Sequence, residues 1–239
     1  MTAALEAAEH DARALVEGGV DGLVVENFGD APFFPDEVPP ETAAALAVAV
    51  ARVRACVPDG LPVGVNVLRN DARTALGVAA ATGAAFVRVN VHQGTAVTDQ
   101  GLVNGRAAWT VRERQRLVPQ VAVWADVHVK HAIPLGGGEL AAAAEEVHGR
   151  GRADALIVSG RATGAMADPH DVATVRGAVE SAYLVIGSGV DERNAPALLE
   201  MADAAICGTA LKVGGDVRAP VEKSRVEGLR AVLDGLRRA

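Results

Sequence analysis

The sequence predicts an α/β fold, a TIM-type (β/α)8 barrel with its first strand missing, and three observations carry that prediction. Seven short apolar runs end in polar or glycine residues, and each is followed by a helix-like stretch: Gly22–Glu26, Val63–Val67, Phe86–Val91, Val121–Val129, Ala155–Val158, Tyr183–Ile186 and Ala204–Cys207. Their starts lie roughly 20 to 40 residues apart, the pitch of βα units in a parallel sheet whose strands are covered on both faces. The chain has 239 residues, close to the roughly 250 of a complete barrel, and its even organisation predicts one domain over residues 1–239.

The elements follow in order. Residues Thr2 to Glu17 place Leu5, Ala8, Ala12, Leu15 and Val16 on one side of a helix, and Gly18-Gly19 ends it. A helix thus precedes the first strand, where a closed barrel begins with a strand. Seven strands leave two unpaired edges, a liability that proteins cover or pair. The expectation is that the natural product begins upstream of Met1, or that the chain closes differently or meets a partner. The Ala-rich stretches Ala43 to Ala51 and Ala141 to Ala144 keep helical apolar spacing and predict outer helices. Hydrophobic residues make up 50% of the chain and aromatics 3%, so Ala, Val, Leu and Ile are expected to build the core.

A net charge of −7 argues against a nucleic-acid surface, which needs clustered Lys and Arg. Cys56 and Cys207 lie in unrelated contexts and imply neither a disulfide framework nor a metal site. No run reaches the roughly 18 apolar residues of a membrane span, and the first residues lack the basic start and apolar core of a signal peptide. A cytoplasmic protein without an integral membrane segment is expected, with a homo-oligomer allowed.

Function should sit where the strands end. On the fourth run Asp126, His128 and Lys130 alternate, and a period of two puts all three on one face. The run before it repeats the pattern with Arg88, Asn90 and His92. Polar groups inside an apolar strand are costly unless partnered, so they mark either a site or a structural polar layer. His128 suits general acid or base work near neutral pH, and Asp126 would orient it or bind a cation. Lys130 would bind an anion, or form a Schiff base if burial and Arg88 depress its pKa. Glu26 is the second candidate acid or base, with Asn27 and Asp30 beside it. A divalent metal held by Asp126, His128 and Glu26 or Asn90 stays open as the one cofactor, without diagnostic spacing. Asn66, Arg69 and Asn70 form a donor-rich loop, where Asp71 reads as a helix N-cap.

The last two strands end in small residues, Gly187-Ser188-Gly189 and Gly208-Thr209. Glycines let a ligand approach the backbone, and exposed N–H groups favour an anion, so a phosphate is expected there. Lys212 either adds charge or points outward. Ser159, Arg161 and Thr163 on the preceding loop would close over the same ligand.

Six strings, Val25–Phe33, Asn66–Asp71, Phe86–Val91, Ala125–His131, Gly187–Val190 and Cys207–Lys212, together resemble the BtpA/SgcQ family in register from about Asp21 to Arg225. The resemblance implies a TIM-type barrel and, in photosynthetic members, an association with photosystem I biogenesis. It supplies no reaction. Family members also carry, ahead of the first helix, an apolar strand running into a His-Leu-Pro-Pro-Leu-Pro-Gly-Ser-Pro-like loop that this chain lacks. Two readings follow: an enzyme, a lyase or isomerase for choice, using acid–base chemistry on a small phosphorylated or anionic metabolite, or a non-catalytic biogenesis or scaffolding factor.

Overall fold

The computed structural model describes residues 1–160 and 162–236. Helix α1 (Thr2–Gly18) ends on Gly19, whose φ of 94° lets its N–H turn back to the Leu15 and Val16 carbonyls. Then come β1 (Leu23–Glu26), α2 (Pro40–Cys56), β2 (Val63–Asn66), α3 (Ala72–Thr82) and β3 (Phe86–Val89). A hairpin of β4 (Thr95–Thr98) and β5 (Gly101–Asn104) leads into α4 (Ala107–Leu117), β6 (Ala122–Asp126) and β7 (Ala132–Pro134). Helix α5 (Leu140–Glu145) runs on through a wider turn, Glu146–Arg150, into β8 (Ala155–Val158) and α6 (Pro169–Ala178). The chain finishes with β9 (Tyr183–Ile186), α7 (Ala195–Leu199), β10 (Ala204–Ala205) and α8 (Lys223–Leu236).

The seven expected strands form one parallel sheet in chain order, β1-β2-β3-β6-β8-β9-β10, curled into a TIM-type barrel that lacks one strand. Among the described residues nothing pairs with the outer edges of β1 and β10. The helical layer does close there, because α1 packs between α8 and α2. Gly18 makes that approach possible: a Cβ on it would lie 2.4 Å from Val226 Cβ. Lys212 Nζ donates to Asp11 Oδ2 at 2.5 Å, Val221 N donates to Asp11 Oδ1 at 2.8 Å, and Arg230 ties α8 to Gly19 and Asp21. Lys212 therefore points outward, away from the glycine loops.

Ala, Val, Leu and Ile build the layers between sheet and helices, as composition predicts. The barrel interior departs from that expectation. Phe86 stacks on Trp124 with centroids 4.0 Å apart, Tyr183 tilts against Trp124 at 6.2 Å, and Ala155, Ile157 and Val185 pack around them. Gly64 makes room, since a Cβ there would sit 2.2 Å from the Phe86 ring. The antiparallel sheet β5-β4-β7 is an addition that the sequence reading did not anticipate. Its inner face buries Ala96 and Val103 against Val91 and Val129.

Candidate functional site

The strand ends converge on Asp126, the last residue of β6. Its carboxylate is buried and accepts from Arg88 Nε at 2.9 Å and Arg88 Nη2 at 2.8 Å, a bidentate pair. Asn90 Nδ2 at 3.1 Å and Ser159 Oγ at 3.2 Å complete it. Burial alone would lower the Arg88 guanidinium, and the Asp126 carboxylate more than reverses this, holding it above its ordinary value. Asp126 is thus an anchor whose oxygens are filled by donors. It neither orients His128 nor offers a lone pair to a cation, which corrects both roles expected for it.

The correction has a simple cause. Strand β6 stops at Asp126, so the period of two does not reach His128 and Lys130. His128 lines a separate recess of about 180 Å³ with Val127, Gly138, Leu140, Val158, Ser159 and Asp171. Burial there lowers its imidazole pKa, and Asp171 opposes the shift. Lys130 returns to the polar cluster. Burial, then the Arg88 charge, lowers its ammonium, with Glu26 and Asp126 opposing and Arg69 adding to the lowering. No acceptor among the described residues bonds Lys130 Nζ. Its carbonyl accepts from Arg69 Nη2 at 2.5 Å.

Glu26 ends β1, at the edge of the gap, and its Oε2 accepts from Asn66 Nδ2 at 3.1 Å. Asn27 and Asn70 do a different job. Asn27 brackets the Leu68 backbone, accepting from its N–H at 2.7 Å and donating to its carbonyl at 3.3 Å, and also donates to Asp30. Asn70 brackets Val91 in the same way at 2.8 and 2.9 Å. Each side chain imitates a strand and ties one loop to the next, beyond the last backbone pair. Asp71 caps α3, accepting from Thr74 N at 2.8 Å, as its position predicts.

His92 breaks the expected Arg88–Asn90–His92 face. Its Nε2 bonds the Gly151 carbonyl at 2.8 Å, away from Asp126, and desolvation lowers its pKa. The metal set proposed from sequence is not assembled either. Asp126 and His128 face different surroundings, and among the described residues no three His, Cys, Asp or Glu groups are placed to hold an ion.

At the glycine loops the outcome is divided. Gly187 N–H is used within the fold, donating to Val158 O at 2.7 Å. Ser188 Oγ donates to Ala165 O at 3.3 Å, and Gly189, with φ of 73°, lies so close that a Cβ would fall 2.2 Å from the same oxygen. The backbone N–H groups of Ser188, Gly189, Gly208 and Thr209 meet no acceptor among the described residues. Gly164 approaches Thr209, and Thr163 bonds His131 Nε2 at 3.3 Å, so the segment after β8 lies across both loops. His131 has no part in the period-two pattern and was missed as a contact. Arg161 lies outside the described residues. Cys207, beside Gly208, has its thiol pushed up to about 12 by burial, which makes it an inert neighbour.

A curled parallel sheet with a polar cluster and glycine loops at the carboxyl ends of its strands defines a TIM-barrel-type protein. The chain belongs to the BtpA family, whose model matches residues 1–234. It is 43% identical over 238 residues to the photosystem I biogenesis protein BtpA of Synechocystis sp., covering 99% of this chain and 82% of that one. It is 42% identical over 235 residues to an uncharacterized protein of Thermococcus kodakarensis, covering 98% and 88%, so the family extends to archaea. The thiamine phosphate pyrophosphorylase structure from Pyrococcus furiosus superposes with a TM-score of 0.60 at 16% identity, covering 95% of this chain and 90% of that one. No described helix is long and apolar enough to cross a membrane.

Proposed function

We propose that this chain is a single-domain cytoplasmic enzyme that moves a proton on a small phosphorylated metabolite, with Lys130 and Glu26 as the acid–base pair. The observation that carries the proposal is the Lys130 amine, unbonded and desolvated beside Glu26, above an Arg88–Asp126 pair that cannot shift. The Glu26 carboxylate, hydrogen-bonded to Asn66, accepts a proton from the substrate, and the Lys130 ammonium, made a readier donor by its lowered pKa, supplies one elsewhere on it. An isomerase or lyase reaction fits that exchange. The same lowering favours the unprotonated form that a Schiff base requires. The unfilled N–H groups of Ser188, Gly189, Gly208 and Thr209 are the phosphate's natural partners, and the structural neighbour named for thiamine phosphate supports the class.

A thermal-shift screen of phosphorylated metabolites, followed by turnover of each ligand found, tests this. Lys130→Met and Glu26→Gln should each lower turnover by about 100-fold or more while the ligand still raises the melting temperature. Undiminished turnover in Lys130→Met removes the assignment.

A second reading, a non-catalytic assembly factor like the relative named for photosystem I biogenesis, draws on one specific feature. Val97 stands directly opposite both Leu102 and Ile133 across β5-β4-β7, and the three are 42%, 55% and 71% exposed. Such an apolar row suits a protein contact, a homo-oligomer included.

A further inference from the structure

Three buried side chains of the cluster each keep one polar atom without a partner: Asn66 Oδ1, Asn90 Oδ1 and Arg69 Nε. Their residues are 1%, 2% and 3% exposed. The orientation of both amides is settled by chemistry. Asn66 faces the Glu26 carboxylate and Asn90 faces the Asp126 carboxylate, and an ionised carboxylate only accepts. Each amide must therefore present its NH₂ to the acid and keep its oxygen for something else. The two carboxylates act as vices that hold two acceptors ready.

We infer that the phosphorylated ligand carries at least two hydroxyl groups, which donate to Asn66 Oδ1 and Asn90 Oδ1, while an oxygen of the same molecule accepts from Arg69 Nε. The inference rests on the phosphate reading above and names the substrate class within it: a polyhydroxylated phosphate of sugar type. Asn66 pairs in register with Arg88, and Arg88 shares Asp126 with Asn90, so the two acceptors stand at the carboxyl ends of the adjacent strands β2 and β3, where one ligand would meet both. Cationic donors fit poorly. Arg69, Arg88 and Lys130 already outnumber Glu26 and Asp126 here, and an ammonium ligand would add to that excess. A flat apolar ligand would leave all three atoms dry, which a buried polar group tolerates badly. Neutral hydroxyls satisfy the acceptors without adding charge.

The test compares affinities on the unmodified full chain by calorimetry. The probes are triose, pentose and hexose phosphates, alkyl phosphates of matching length that lack hydroxyls, the unphosphorylated sugars, and inorganic phosphate. The best sugar phosphate should bind at least about tenfold more tightly than its alkyl counterpart, the advantage expected of two added hydrogen bonds to sites that otherwise stay empty. Asn66→Leu and Asn90→Leu should each reduce that advantage. The comparison on the wild-type chain decides the matter even if a variant folds poorly. Alkyl and sugar phosphates binding equally, both displaced by inorganic phosphate, would overturn the hydroxyl inference and leave the phosphate reading in place. Sugars binding as tightly as their phosphates would do the reverse. Binding by none of the probes at millimolar concentration would remove both.

Discussion

The two sides of the barrel solve the same problem differently. On the closed flank, strands β2, β3 and β8 are buried along their whole length, and the polar groups at the ends of β3 and β8 are locked into one network around Asp126. On the open flank, β1 and β10 are only partly covered, and Glu26 is exposed at the edge. The helices compensate on that side, through Gly18 against Val226 and Asp11 held by Lys212 and Val221. Closure of a barrel is thus two separable conditions, a ring of strands and a ring of helices. Here only the second is met. The interlocked pair Arg88 and Asp126 stands on the first flank, and Glu26, proposed above as an acid–base residue, stands on the second.

The largest effect should come from breaking the closed flank's anchor. Asp126→Ala leaves Arg88 charged, 4% exposed and without its carboxylate, and the loss of one partner from a buried pair costs about 3–5 kcal/mol. Urea unfolding of the variant should show a shift of that size. The double variant Arg88→Met/Asp126→Leu should recover a large part of it, because an apolar pair leaves no orphaned charge. A single variant as stable as wild type would mean that this flank is no more rigid than the other.

A matched pair of cavity variants sharpens the contrast. Leu156 on β8 is 0% exposed, and Leu156→Ala should cost about 2–5 kcal/mol. Ile206, just after β10, packs against the barrel interior but is only partly buried. Ile206→Ala should therefore cost less than about half as much, since water already reaches the side chain and the site can relax. Equal losses by chemical denaturation would show that the seam is packed as tightly as the rest.

The same contrast explains what could be read from the sequence. The strands of the sheet were legible because each is a short apolar run buried on both faces, and the cap at Asp71 because it depends on residues three apart. That Glu26, Asn66, Arg88, Asn90 and Asp126 lie at or just past strand ends was legible from where the apolar runs stop. What failed depended on where a strand stops. Reading the fourth run through to Val129 put His128 beside Asp126, whereas β6 ends at Asp126 and the next residues turn. His92 failed for the same reason, three residues past the end of β3. The aromatic floor of Phe86, Trp124 and Tyr183 was hidden by averaging, since a composition figure says nothing about three rings meeting in one place. The β5-β4-β7 sheet depends on pairing Val97 with Ile133, a contact that no local pattern announces.

The smallest predicted effect separates the flanks by pH. His92 is 1% exposed, and because the Gly151 carbonyl can only accept, its Nε2 must carry the hydrogen and its Nδ1 must be bare. That Nδ1 has no partner, so protonation would place a charge and an unmet N–H in the interior. Desolvation accordingly lowers the pKa, and the Gly151 bond and Asp154 only partly offset it. The unfolded chain then binds a proton near the ordinary value of about 6.5, while the folded chain does not until the pH is lower. Stability should be constant in this respect above that value and should fall as the pH drops below it, levelling off once the folded-state pKa is passed. His92→Gln keeps a donor for Gly151 and removes the titration, so unfolding free energies of wild type and variant should converge on acidification from pH 7 to pH 5. His128 and His131, whose pKa values are also lowered, contribute equally to both proteins and cancel in the difference. Parallel curves across that range would show that His92 titrates alike in the folded and unfolded chains, and that the closed flank holds no acid-labile group at this position.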